Sequence, residues 1–212
     1  MPLGKVIATE AERAAVIAAA VQHGFPAEEV NAAVSIESGW RAGSYHPVSK
    51  AVGLIGFMPF ILRKLGYSGS PESFGNLSAG EQAPWVGKYF AHHAGRWRVP
   101  GDTYLALAAP AFLGSPDSRI AYPKGGKAWE INPGWRGPDG EITVGSIRAV
   151  LLRKMRRLAA KGGGSISQAS VSPEAPSSPL AFAALALGAY LLYRWIKGKK
   201  KRHDTADYQR AD

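Results

Sequence analysis

Apolar residues recur at three- and four-residue spacing in several segments of this 212-residue chain, which predicts a mainly helical domain. Thr9-Glu10-Ala11-Glu12 fits a capping box, and the Ala-rich stretch behind it predicts a helix to about His23, stopped by Gly24. A second helix starts at Phe25-Pro26. In it Val30, Ala33, Val34 and Glu37 fall at helical spacing, so Glu37 lies on or beside the apolar face at the C-terminal end. Residues 41–59 read as loop or short hairpin, broken by Gly43, Pro47, Gly53 and Gly56. A short helix is expected over 59–65, and a second capping box at Ser78-Ala79-Gly80-Glu81 opens another that runs through Ala91. Residues 102–113 are apolar and helical, bent or ended by Pro110. The last helix, Val144–Ala160, buries Ile147, Val150, Leu151, Met155 and Leu158. Its Arg148, Arg153, Lys154, Arg156 and Arg157 face water or an anionic partner.

The pattern then changes. Residues 162–179 are rich in Gly, Ser and Pro with one charge, which predicts a flexible tether. From Leu180 to Ile196 the chain is apolar except for Arg194, with Tyr190, Tyr193 and Trp195 at one edge. At ~1.5 Å per residue it spans roughly 25 Å, close to a bilayer core. Residues 180–196 are therefore expected to form a single transmembrane helix, and 197–212 a basic polar tail. Lys197, Lys199, Lys200, Lys201 and Arg202 put that tail on the cytoplasmic side and the domain of residues 1–161 outside. No cleavable export signal is read at the N-terminus, where Glu10, Glu12 and Arg13 interrupt the apolar residues.

A hydrophobic content of 46% with 10% aromatics supports a packed core and excludes disorder for most of the chain. The net charge of +10 favours an anionic partner, whether nucleic acid, phospholipid or an acidic wall polymer. Absence of cysteine excludes disulfides and thiolate metal sites.

Candidate chemistry centres on Val34-Ser35-Ile36-Glu37-Ser38-Gly39-Trp40, followed by Gly53-Leu54-Ile55-Gly56-Phe57-Met58-Pro59. A carboxyl group protonates a leaving oxygen at neutral pH only where apolar surroundings raise its pKa, and Glu37 between Ile36 and Trp40 is placed for that. These two segments resemble the Glu-Ser motif and the Gly-Leu-Met-Gln-x-Met-Pro segment of lytic transglycosylases in the lysozyme-like superfamily. The likeness extends over about residues 10–158. Ala83 to Phe90 and Tyr104 to Gly114 look like the phage-type, virion-associated branch, in which Tyr-Pro-Ala-x-x-Gly replaces Tyr-Asn-Ala-Gly. Residues 132–147 correspond to that branch's closing Asp-Gly-x-Ile-Thr segment.

The resemblance implies a mainly α, lysozyme-like domain that cleaves peptidoglycan glycan strands to 1,6-anhydromuramoyl ends. It implies Glu37 as the catalytic acid, then base, with Ser38, Gly53, Leu54, Ile55, Phe57, Met58 and Pro110 as substrate-binding positions. No cofactor is expected. The closing segment resembles a calcium loop in that branch, but here Trp135 and Gly137 occupy two ligand-type positions, leaving Asp139 and Gly140, so no metal is expected. Two positions depart from the family: Gly56 stands in place of Gln, and Ala109 in place of Tyr. A hydrolase would need a second carboxylate, and the nearest downstream, Glu72 and Asp102, lie in no motif. Delivery from a virion fits an exported domain without a leader, so a phage protein opening the wall for genome entry is expected, with other virion proteins as partners. Alternatives are a bacterial or late-lysis enzyme, a degenerate domain that binds glycan or scaffolds a membrane complex, and a membrane-tethered nucleic-acid binder. Specific nucleic-acid binding is not expected. His92-His93 beside Arg96 and Arg98 reads as a solvated basic turn, most tryptophans as core, and Tyr122 to Lys127 as a surface loop.

Overall fold

The capping box read at Thr9 forms as expected. Its hydroxyl accepts from Glu12 N, Glu12 reaches back to Thr9 N at 2.9 Å, and α1 runs over Glu10–Val21. A computed structural model of the chain describes residues 6–161. The tether, the apolar run 180–196 and the basic tail all lie outside the described residues. Among the described residues no helix is long and apolar enough to cross a membrane.

The described part is mainly helical. After α1 come α2 (Ala27–Glu37), α3 (Pro59–Lys64), α4 (Pro71–Gly75), α5 (Ala79–Ala91), α6 (Asp102–Ala108), α7 (Lys127–Ile131) and α8 (Val144–Ala160). A two-stranded antiparallel ribbon, β1 (Ile120–Tyr122) with β2 (Ile142–Thr143), feeds directly into α8. Sequence periodicity missed α4 and α7, each five residues long, and the ribbon, whose strands are shorter still. Such pieces have no measurable period; α4 is announced only by the Ser70 hydroxyl that accepts from Ser73 N ahead of Pro71.

Helices α1 and α5 lie parallel, with Glu12 Oε1 accepting from Gly80 N at their starts and Ala19 against Gly87 farther along. A Cβ on Gly87 would sit 3.2 Å from the Ala19 carbonyl, so small residues on both helices permit the close approach. Phe25 meets Phe90 at 4.6 Å between ring centroids, and Phe57, Tyr67 and Trp85 surround Phe74 edge-on. Ile147 and Leu151 of α8 are fully buried, as expected. Its Arg148 is not solvated. That side chain is buried between Asp102 (Nε to Oδ1, 2.8 Å) and Asp117 (2.5 Å), because α8 packs on α6 at that turn. His93 also departs from the expected basic turn, since it is buried against the Tyr89 ring while His92 is exposed. Trp85, Trp97, Trp129 and Trp135 are half-buried, packed onto the core. Tyr122 belongs to β1 rather than to a surface loop, stacked on Trp135 at 5.9 Å.

Candidate active site

Helix α2 ends at Glu37 through a fixed sequence of contacts. Ser38 N and its hydroxyl both donate to the Val34 carbonyl, at 3.0 and 3.2 Å, which closes the helix. Gly39 (φ +59°) and Trp40 (φ +65°) then turn left-handed. A left-handed tryptophan costs about 1 kcal/mol or more and persists only where its surroundings hold it. Here the Trp40 indole donates to Asn31, its carbonyl accepts from Ala8 N, Arg13 lies over the ring and the side chain is buried. The exit from α2, and with it the carboxyl at the helix end, has one position.

The second motif is a tight loop. Val52 and Phe57 exchange both backbone hydrogen bonds, at 3.0 and 2.8 Å, and enclose Gly53-Leu54-Ile55-Gly56. Gly53 and Gly56 both have positive φ, +85° and +65°. The loop is pinned from below by Gln82 of α5. This fully buried amide accepts from Leu54 N at 3.0 Å and donates to the carbonyl of Ala42 at 2.8 Å, with Phe74 and Leu77 carbonyls at 3.3 Å. So held, the loop brings Gly56 against Glu37: a Cβ at position 56 would stand 3.3 Å from Glu37 Oε2. The two motifs, whose residues Glu37 and Gly56 stand nineteen apart in sequence, meet at the carboxyl.

Burial is the larger influence on that carboxyl and raises its pKa from 4.5 to about 7, against a smaller lowering by the hydrogen bond from Tyr104 of α6. Trp135 Nε1 donates to the same Tyr104 hydroxyl at 3.2 Å. Burial, then the nearby Glu37 charge, pushes Tyr104 up to about 12, and the same two causes raise Tyr89. The Tyr89 hydroxyl donates to the Ala106 carbonyl at 2.9 Å. Both phenols are therefore neutral at physiological pH. Near neutrality Glu37 is divided between acid and carboxylate, the condition for giving and then accepting a proton.

The expected substrate positions separate into two groups. Met58 and Pro110 are half-buried, with surface left to touch a ligand. The side chains of Leu54, Ile55 and Phe57 are buried in the core, and the Ser38 hydroxyl is spent on Val34, so these residues shape the site through the backbone. Gly53 has no room for a Cβ, which would fall 2.7 Å from Gln82 Oε1. Neither other carboxylate serves Glu37. Asp102 is fully buried and bound to Arg148, and Glu72 is exposed.

Tyr89, Tyr104, Gln82 and Trp135 were not singled out as site residues from sequence. Tyr89, Tyr104 and Trp135 each sit in segments that carry the resemblance, which is the available signal; Gln82 is brought in by folding alone. Two cavities, of about 490 and 440 Å³, lie elsewhere. The first is bordered by Arg136, Asp139, Ser146 and Arg153, the second by Val6, Glu12, Ala42 and Leu77. In the closing segment Asp139 accepts from Glu141 N at 3.0 Å, and no group of three or more His, Asp or Glu able to hold a metal ion occurs among the described residues. Comparison with family models, with curated proteins and with solved structures returns no match.

Proposed function

We propose that this chain is a peptidoglycan lytic transglycosylase with a lysozyme-like domain, acting on the β-1,4 bond between N-acetylmuramic acid and N-acetylglucosamine. The observation that carries the reading is the half-buried Glu37 carboxyl, raised to about 7 and abutted by Gly56 of the second motif. Such a group is protonated often enough at neutral pH to give its proton to the glycosidic oxygen. The bond from that oxygen to the anomeric carbon then breaks. The C6 hydroxyl of the same muramic residue attacks the anomeric carbon and passes its proton to the Glu37 carboxylate. One carboxyl serves both steps, which agrees with the finding that no carboxylate among the described residues contributes to its displaced pKa; a hydrolase would add a second carboxylate at a defined distance.

Digestion of purified sacculi by the full chain, with mass spectrometry of the soluble fragments, tests this. Anhydro ends from the wild type and none from Glu37→Gln are expected, with activity falling as pH rises through about 7 because the acid form is lost. Reducing ends would refute the transglycosylase assignment. Absence of fragments from a chain that still binds sacculi would favour the second reading, a degenerate domain that holds glycan or scaffolds a membrane complex. Gly56 and Ala109 favour that reading, since neither offers a polar side chain to a sugar.

The setting proposed is a bacteriophage virion, with the domain anchored through residues 180–196 and facing the wall that it opens for genome entry. The chemistry of the apolar run and its basic flank supports the anchor, and the peptidoglycan reading supports the orientation. Detection of the protein in purified virions separates this from an enzyme made for late lysis or by a bacterial secretion system.

A further inference from the structure

Arg136, Asp139 and Arg153 bring charge to the cavity of about 490 Å³ between the 136–141 loop and the first turns of α8, where the helix itself adds only Gly145, Ser146 and Ala149. The loop that forms the other wall is tightly built. Gly137 N donates to the Glu141 carbonyl at 2.7 Å, Gly140 N to the Gly137 carbonyl at 3.0 Å, and the Trp129 indole to the Gly140 carbonyl at 2.8 Å. Trp135, next to Arg136, stacks on Tyr122 and donates to the Tyr104 hydroxyl, which fixes the loop to the rest of the domain.

The charged groups of this cavity are not spent on one another. Neither guanidinium forms an ion pair with a carboxylate among the described residues. Arg136 lies 3.5 Å over the Trp129 ring and gives one N–H to the Trp129 carbonyl at 3.0 Å, while its Nε–H is buried with no partner among the described residues. A guanidinium has five donors in one plane, so most of its capacity is unused. Arg153 is exposed, and its hydrogen bond to the Gly134 carbonyl is long, at 3.4 Å. Asp139 is exposed too; Oδ1 accepts from Glu141 N at 3.0 Å, and Oδ2 makes no hydrogen bond among the described residues. The Ser146 hydroxyl is taken by the Thr143 carbonyl, and the first N–H groups of α8 by the Arg119 and Asp117 carbonyls. Recognition in this cavity therefore falls to side-chain charge, two cations to one anion.

A ligand that matches this set carries carboxylates in excess of ammonium groups on a short backbone. Phosphate matches it less well, since it brings charge of one sign only and meets Asp139 as well as the arginines. We propose that this cavity binds the peptide stem of peptidoglycan, with Arg136 and Arg153 on its carboxylates and Asp139 on its free amine. This rests on the reading of the chain as acting on peptidoglycan, and it names a part of the substrate outside the glycan strand. Peptide stems branch from the muramic residues, so a site apart from Glu37 suits a branched substrate. Arg136 loses little freedom on binding because Trp129 already holds its plane.

The test is a titration of the full chain with N-acetyl-L-Ala-γ-D-Glu-meso-diaminopimelate, a stem peptide with one free amine, followed by backbone amide and Arg side-chain NMR signals. Saturable shifts centred on Arg136 Nε, Gly137 and Gly145 are expected. Arg153→Gln should weaken binding about tenfold and Asp139→Asn about threefold; both residues are exposed, so neither change threatens the fold. Acetylating the remaining amine of the peptide should cost the wild type about threefold and Asp139→Asn nothing further. In sacculus digestion Arg153→Gln should raise KM severalfold with kcat kept, and glycan stripped of its peptides should not distinguish the variant from the wild type. Absence of saturable shifts, an unchanged affinity in Arg153→Gln, or inorganic phosphate bound as tightly as the peptide each overturns the proposal. A chain that binds the peptide but cleaves no sacculi upholds the site and removes the enzymatic reading; one that cleaves without binding it removes the site alone.

Discussion

Replacing Glu37 with Gln should stabilise the protein, and only above a certain pH. In the folded chain the carboxyl titrates near 7, whereas unfolded it returns to 4.5. Between those values the native state holds a proton that the unfolded state has lost, so stability falls as pH rises through this window. Below about 4.5 both states are protonated and Glu37 contributes nothing; above about 7 both are ionised and the penalty is constant. The displacement corresponds to about 3 kcal/mol at ~1.36 kcal/mol per pH unit. Because Glu37 keeps some contact with solvent, which screens its charge, about 1–2 kcal/mol is the realistic figure. Gln has nearly the same shape, carries no charge and can still accept from Tyr104. With an unfolding entropy of about 2 cal/mol/K per residue over the described part, Glu37→Gln should raise Tm by roughly 3–6 °C at pH 8 and by about zero at pH 4. Thermal melts followed by circular dichroism at both pH values measure this. Equal Tm differences at pH 4 and pH 8 would mean that Glu37 is not held protonated by burial, and the acid reading would lose its physical basis.

Gly53→Ala should cost about 2 kcal/mol or more, since it combines a positive φ with a Cβ set 2.7 Å from Gln82 Oε1 and 2.8 Å from Phe74. Gly24→Ala, whose Cβ meets nothing within 4 Å, should cost only the roughly 1 kcal/mol of its left-handed backbone, and urea midpoints distinguish the two. Gln82→Leu keeps the volume but strands Leu54 N–H and the Ala42 carbonyl; we expect about 2–4 kcal/mol lost by urea denaturation, and a fall in sacculus digestion as the Gly53–Gly56 loop loosens. Arg148→Met leaves Asp102 buried without its cation, and calorimetry should show a loss of about 3–5 kcal/mol; a change under 1 kcal/mol would mean that the pair is not desolvated.

What the chain discloses about itself follows the range of the interactions concerned. Capping boxes and four-residue periods act within one turn, so Thr9, Ser78 and the apolar stripe of α8 could be read directly. The placement of Glu37 at the apolar end of α2 is equally local. Arg148 misleads for the complementary reason. Its place on α8 suits water, and it is buried because Asp102, forty-six residues away, needs a cation. The site shows both sides of this. Glu37 and Gly56 were each visible as residues, but their meeting depends on Gln82, whose amide joins Leu54 N to Ala42 O across α5 and has no periodicity to announce it. The departures at 56 and 109 carry the same lesson further. Compared position by position they are two missing side chains. In three dimensions burial is what sets the carboxyl apart, with Tyr104 nearby and itself bound by Trp135, thirty-one residues on. What a gap in a motif removes is therefore judged from the surroundings that the fold gives the carboxyl, its burial first, and not from the two positions compared one by one.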